Sequence, residues 1–264
     1  MNKRPTFEVL GYPQPGEEAG SDILRQLLTN SGWKFLGHGN LGAELTVVLP
    51  QSDPHDRVNK ALVLTSSKLY SSRQLDGSLR PLVPMDEKEL IVIDHLGPQK
   101  LHRNPIFAGV TEQQMWLDQE RDWLNGGTPG TDVMILRMFP IATARTINRI
   151  PQSTCLEGSG RQVMTLLDRG DCEKYLERLV KRLMLGAFGV YNVGSRQTFT
   201  QLELAKAAAR EQPSKWHHNY EGEPTIPLWE VPDMVRCRAL TGLTFQERSM
   251  RAILKDHNVT RRLP

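Results

Sequence analysis

Apolar positions at the start of the chain change from strand spacing to helix spacing within thirty residues. Phe7 and Val9 alternate with polar neighbours and predict a strand, which a turn rich in proline and glycine follows. From Ser21 to Gly32, apolar residues recur at intervals of three and four, as on one face of an amphipathic helix. Ser21 or Asp22 can cap this helix, and Gly32 can close it.

Four further segments are short, rich in β-branched or aromatic residues, and bounded by Gly, Pro, Asp or Ser, so each predicts a strand. They cover residues 33–36, 44–49, 62–65 and 90–93. The order strand, helix, strand, strand is compatible with a ferredoxin-like sandwich. We therefore predict an α+β fold whose N-terminal half is rich in strands.

The second half of the chain predicts more helix. A helical pattern over 111–124 ends at a run of Asn, Gly and Pro, which indicates a boundary between a strand-rich domain, 1–127, and a mainly helical domain, 128–264. Residues 133–139 predict a buried strand, and 171–185 predict an amphipathic helix with one cationic face. Capping boxes at Thr200 with Glu203 and at Thr244 with Glu247 predict two further helices.

The composition is that of a globular protein whose core does not need disulfides or metals for stability. With 264 residues, 39% of them hydrophobic, it can bury a sizeable core without disulfides or metals. The three cysteines are widely spaced and odd in number, which indicates a reducing compartment. No secretory apolar region follows the basic N-terminus, and no run of about eighteen apolar residues predicts a membrane span. We expect a cytoplasmic protein without a membrane partner.

Charge is distributed unevenly between the halves. Residues 1–132 carry 13 basic and 17 acidic side chains, whereas 133–264 carry 20 basic and 13 acidic, and 15 of those 20 are arginine. Arginine's planar fork suits phosphate contact, so this half favours a nucleic-acid backbone, RNA in preference to DNA. The alternative is that the arginines form structural ion pairs and solvated faces.

Each candidate nucleic-acid contact is a residue of the basic half with a cationic or aromatic side chain. Glycines 186, 189 and 194 can let a nucleic-acid backbone come close to the protein chain. The candidate contacts are Lys174, Arg178, Lys181, Arg182, Arg196, Trp216, Tyr220, Arg236, Arg238, Arg248, Arg251, Lys255, Arg261 and Arg262.

Histidines are the candidates for catalysis. His38, His217 and His218 can take a proton from a ribose hydroxyl, although surface histidines without a role fit the same pattern. The spacing of cysteines and histidines provides no local metal site, and the glycines at 186–194 follow a helix, so they match neither a P-loop nor a dinucleotide fingerprint. We therefore expect no cofactor and no metal.

Three functions compete on these patterns. The first is an RNA-binding protein within a ribonucleoprotein, which contacts phosphates through the arginines. The second is a metal-independent endoribonuclease on a ferredoxin-like fold. The third is a structural subunit that joins protein partners through its oppositely charged halves.

Overall fold

The structure, a computed structural model, describes residues 4–11, 18–39, 42–49, 58–66, 120, 122–125, 131–143, 155–157, 163–200, 203, 217–219, 232–243 and 247–256. The strands are β1 (Thr6–Leu10), β2 (Lys34–His38), β3 (Leu45–Val48), β4 (Lys60–Ser66), β5 (Asp132–Met138), β6 (Cys155–Glu157), β7 (Val163–Thr165), β8 (Gly189–Val193), β9 (Thr198–Thr200) and β10 (His217–Asn219). The helices are α1 (Glu18–Asn30), α2 (Arg169–Met184), α3 (Val235–Thr241) and α4 (Met250–Asp256).

Six strands form one parallel sheet in the order β2-β1-β3-β4-β5-β8. Two small ribbons accompany it, one pairing β6 with β10 in parallel and one pairing β7 with β9 in antiparallel fashion. The prediction of a ferredoxin-like α+β sandwich is therefore wrong. Short apolar segments predict strands but do not reveal their partners, because parallel and antiparallel pairing can use the same residues.

Both faces of the sheet are covered. Along β4, Leu62 and Leu64 pack into the larger core with α1 and α2, while Ala61 and Val63 pack on the opposite face near Trp123. Burial on both faces explains why β4 begins its buried part with four consecutive apolar residues, 61–64, rather than with an alternation of apolar and polar residues. The sheet takes strands from both sides of residue 127, and the division into two domains stays a prediction.

The two predicted amphipathic helices are present with small shifts at their ends. The first starts three residues before Ser21, and Gly32 follows it with a φ of 85°. The second starts after Asp168, whose carboxylate accepts a hydrogen bond from the Gly170 N–H at 2.9 Å. A side-chain cap of this kind satisfies one of the N–H groups that the first helical turn leaves unpaired.

The two predicted capping boxes differ in outcome. Thr200 and Glu203 exchange the expected hydrogen bonds, with the Glu203 N–H 3.1 Å from the Thr200 Oγ1. At the second, Thr244 lies outside the described residues, α4 begins only at Met250, and the Glu247 carboxylate binds a different segment. The predicted helix is present from Met250 to Asp256, but its predicted start is wrong, because residues 247–249 are not helical and a tertiary contact uses the Glu247 carboxylate.

Two sequence predictions fall largely outside the described residues. The strand at 90–93 lies there entirely, and of the helix at 111–124 only Glu120 and residues 122–124 are described, all helical. No helix among the residues that are described is long and apolar enough to cross a membrane.

Candidate functional site

The order of the strands changes direction at β1, with β2 on one side of it and β3 on the other. The chain passes from β1 through α1 to β2 on one side, and then places β3 on the other side of β1. In open α/β sheets, ligands bind in the crevice outside the carboxyl ends of the strands at such a switch point. A ligand site is therefore expected at the edge formed by the carboxyl ends of β1 and β3.

The turn from β1 into α1 contains glycines where the chain bends and packs closely. Gly11 follows β1 directly with a φ of 82°, a conformation that suits glycine. Gly20, in the first turns of α1, lies against Met138 at the end of β5, and a Cβ atom there would be 3.6 Å from that side chain. The N-terminus of α1 thus faces the switch-point edge, where N–H groups and the helix dipole favour an anion.

Two details of this turn differ from the dinucleotide fingerprint. Its glycines stand at positions 11, 16 and 20, more widely spaced than in G-x-G-x-x-G. The first residue of α1 is the acidic Glu18, and a negative charge at a helix N-terminus disfavours a bound anion.

β2 ends in an exposed histidine. The His38 ring meets Phe35 edge-on with their centroids 5.7 Å apart, and Phe35 packs 5.1 Å from Phe7. The next residue, Gly39, donates its N–H to the carbonyl of Val9 at 3.0 Å, which holds the end of β2 against β1. Dinucleotide-binding folds place an Asp or Glu here for the adenine ribose, but residues 34–39 contain no carboxylate.

A buried ion pair lies beneath the ends of β4 and β5. The Arg137 guanidinium donates to both oxygens of Glu120, at 3.4 and 3.2 Å, and Thr65 Oγ1 donates to Glu120 Oε1 at 3.0 Å. Neither charged side chain has any exposed surface. Thr65 and Arg137 are register partners, so the Glu120 carboxylate ties the two neighbouring strands together.

The carboxyl end of β8 is fixed by one carboxylate. Glu247 Oε2 accepts hydrogen bonds from the Ser195 hydroxyl at 2.7 Å and from the Arg196 N–H at 2.8 Å. Gly194 precedes them, and a Cβ atom there would come within 2.8 Å of both Phe139 and Pro232. Contacts that short are not tolerated, so glycine is required where these segments meet.

Two buried ionisable groups on α2 are unsuited to nucleophilic chemistry. Burial raises the pKa of the Cys172 thiol, so it stays protonated at neutral pH. Burial, with the nearby Cys237 and Glu247, raises the pKa of Tyr175 to about 12. Both groups belong to the core that α2 forms with the sheet.

The cationic residues predicted on α2 lie on its exposed side. Lys174 and Lys181 pair with acidic residues of the same helix, Asp171 at 2.8 Å and Glu177 at 2.5 Å. Arg178 and Arg182 are also exposed.

The arginines near the C-terminus contact other parts of the protein. Arg236 lies over the Tyr191 ring at 5.3 Å, and Arg238, half-buried on α3, donates to the Leu243 carbonyl at 3.5 Å. Arg248 forms ion pairs with Asp168 and Asp256, and Arg196 lies 3.5 Å from Glu247. Arg251 and Lys255 are exposed on α4, whereas Trp216, Tyr220, Arg261 and Arg262 lie outside the described residues.

The three candidate histidines are not brought together. His38 ends β2 of the main sheet, whereas His217 and His218 lie in β10, where His217 is the register partner of Cys155. Within the described ranges, no group of three or more His, Cys, Asp or Glu side chains could hold a metal ion.

Comparison with known proteins shows structural similarity to several solved structures. No family model and no curated protein matches the sequence. MoeE5, solved in complex with UDP-glucose and NAD, has a TM-score of 0.62 at 15% identity, covering 97% of this chain and 99% of the other. The dTDP-glucose 4,6-dehydratase of Bacillus anthracis, solved in complex with NAD, has a TM-score of 0.59 at 10% identity, with 97% of each chain covered. A UDP-glucuronic acid 4-epimerase from Bacillus cereus has a TM-score of 0.59 at 12% identity, covering 96% and 98%.

These likenesses show a Rossmann-like fold of the kind found in NAD-dependent epimerases and dehydratases. The predictions of RNA binding, DNA binding and endoribonuclease activity, and of a nucleic-acid partner, are therefore wrong. The charge pattern does not reveal the partners of individual arginines: Arg196 and Arg248 form ion pairs within the protein, which net charge along a sequence cannot show.

Sequence reasoning overlooked the glycine turn after β1. Glycines 186, 189 and 194 follow a helix and do not match the dinucleotide fingerprint, whereas Gly11, Gly16 and Gly20 come between a predicted strand and a predicted helix. That strand–glycine–helix order was the available signal, and the irregular spacing concealed it.

Proposed function

We propose that this protein binds a nicotinamide dinucleotide across the switch point beside β1 and that its substrate is a nucleotide-linked sugar. The observation that carries the proposal is the topology: Gly11 follows β1 at the switch point, and the next element is a helix whose N-terminus lies on the side of the crevice between β1 and β3. The sugar nucleotide is supported by the named ligands and activities of structures with the same fold.

The residues at this edge fit the pyrophosphate, which is the central part of the dinucleotide. Gly11 allows the backbone to turn sharply under a pyrophosphate, and the N-terminus of α1 supplies N–H donors to it. Gly20 lies beside Met138 at the end of β5, which places the first turn of α1 at this edge of the sheet. The ribose end fits less closely, since His38 replaces the usual carboxylate.

The cofactor and the protein would contribute different parts of the reaction. When bound, the nicotinamide ring supplies hydride transfer. The protein binds and orients: the Glu120–Arg137 pair fixes the ends of β4 and β5, and Glu247 fixes the end of β8, at the edge where a substrate would meet the cofactor. A cytoplasmic location accords with the buried thiols of Cys172 and Cys237, which are not joined in a disulfide.

Direct binding measurements test the cofactor. We expect NADH fluorescence to increase on titration with the protein, and calorimetry to give saturable binding. Gly11→Val forces a side chain into a positive-φ position at the crevice, so binding should weaken about tenfold or more. Gly32→Val is the matched control, because its φ of 85° is similar but it lies at the other end of α1.

The outcomes separate clearly. If both variants keep the wild-type circular dichroism spectrum and only Gly11→Val loses binding, the switch-point site is supported. Equal binding by the two variants would overturn the site, and no binding of NADH or NADPH by the wild type at millimolar concentration would overturn the function.

A separate titration tests the substrate class. With the dinucleotide bound, UDP-glucose and dTDP-glucose should bind with micromolar to millimolar affinity, whereas free glucose and UMP should bind at least tenfold more weakly. Binding of glucose and UDP-glucose with equal affinity would contradict a nucleotide-linked substrate.

The glutamate at the start of α1 provides another test. Glu18→Gln removes a charge from the first helical turn, where a carboxylate opposes a bound pyrophosphate. We expect the dissociation constant for NADH to fall about twofold to fivefold, measured by fluorescence at low salt. A weaker complex would show that this helix end does not contact the pyrophosphate.

A further inference from the structure

We infer that the ribose end of the proposed site accepts a 2′-phosphate, with His38 as the residue that contacts it, so that NADPH binds at least as tightly as NADH. The inference rests on the proposed function, because it concerns the adenosine half of the same dinucleotide. It departs from the NAD with which the similar structures were solved.

The position of His38 carries the first step. It is the last residue of β2, the strand beside β1 on the side opposite the switch-point crevice, and its side chain is exposed. The hydrogen bond from the Gly39 N–H to the Val9 carbonyl holds this strand end level with the end of β1. A dinucleotide with its pyrophosphate at α1 extends its adenine ribose to this strand end.

The chemistry at this position carries the second step. A carboxylate at the end of β2 selects NAD by accepting a hydrogen bond from the ribose 2′-hydroxyl and by repelling a 2′-phosphate. Imidazole provides an N–H donor to a phosphate oxygen and no fixed negative charge. The Phe35 ring supports the imidazole edge-on, which restricts its orientation.

The described acidic residues of the adjoining strands do not replace that carboxylate. Glu8 is buried within β1, where Thr46 Oγ1 donates to it at 2.8 Å. Glu44 comes just before β3, at the amino end of the sheet, and its N–H donates to Thr6 Oγ1 at 3.2 Å. Neither lies at the carboxyl edge, so the described residues of these strands place no carboxylate beside His38.

The test measures the dissociation constants of NADH and NADPH by fluorescence titration and calorimetry, for the full chain and two variants. His38→Asp restores a carboxylate at the strand end, and it should weaken NADPH binding about tenfold or more while NADH binding changes less than threefold. Lys34→Asp is the control: it adds a carboxylate to the same strand about 13 Å away, beyond the screening length, and both affinities should stay unchanged.

Three results are possible. Wild-type affinity for NADPH equal to or above that for NADH, together with its selective loss in His38→Asp, supports the inference. Tenfold tighter NADH binding by the wild type, or equal effects of His38→Asp on both ligands, overturns it and leaves the proposed function standing. Failure of the wild type to bind either dinucleotide overturns both.

Discussion

The buried ion pair between Glu120 and Arg137 should dominate the response of the protein to mutation near the sheet edge. Both side chains are fully buried, and three hydrogen bonds satisfy the carboxylate. Arg137→Met takes the guanidinium away from the buried Glu120 carboxylate, and Glu120→Gln takes the charged carboxylate away from the buried guanidinium. Breaking a fully buried pair in this way costs about 3 to 5 kcal/mol of the free energy of unfolding.

The double variant Glu120→Gln with Arg137→Met removes both charges at once. Because neither member of this pair is then left buried without the other, its cost should be lower than the sum of the single costs by at least about 2 kcal/mol. A surface pair provides the control: Arg169 and Glu173 are 50% and 38% exposed, and removing either should cost about 0.5 kcal/mol or less.

Urea unfolding followed by circular dichroism and tryptophan fluorescence measures these free energies. A loss of 3 kcal/mol should move the midpoint by about 1 to 2 M, given a typical slope for urea. The reasoning is refuted if either single variant costs less than about 1 kcal/mol, or if the double variant costs as much as the singles together.

Three further predictions concern stability. Gly194→Ala should cost about 1 to 3 kcal/mol in urea unfolding, because its Cβ would come within 2.8 Å of Phe139; a neutral effect would mean that these segments separate freely. Glu247→Gln should cost about 1 to 3 kcal/mol through its bonds to Ser195, and an unchanged midpoint would contradict this. The pKa of Tyr175 is raised to about 12 in the folded state, so with rising pH the unfolded state loses this proton first. The free energy of unfolding should therefore fall between pH 10 and 12 by at most about 3 kcal/mol, and the same fall with pH in Tyr175→Phe would refute this.

The sequence by itself determined the local elements of this protein. The spacing of apolar residues located α1 and α2 to within three residues, since an amphipathic helix must present one apolar face whatever it packs against. Most described strands of the main sheet coincide with predicted segments because β-branched and aromatic runs bounded by turn residues favour extended backbone. The Thr200 capping box followed from chemistry within four residues.

Only the tertiary structure decided how those elements combine. The order of strands and their parallel direction depend on which strands pair across long stretches of sequence, and this pairing created the switch point beside β1. The same long-range pairing placed Thr65, Glu120 and Arg137 in one buried network, although they are distant in sequence. It also engaged Arg248 and Arg196 in ion pairs, so net charge along the chain did not indicate the ligand. Spacing in a sequence reports local geometry, whereas a site at the ends of several strands exists only once the sheet has formed.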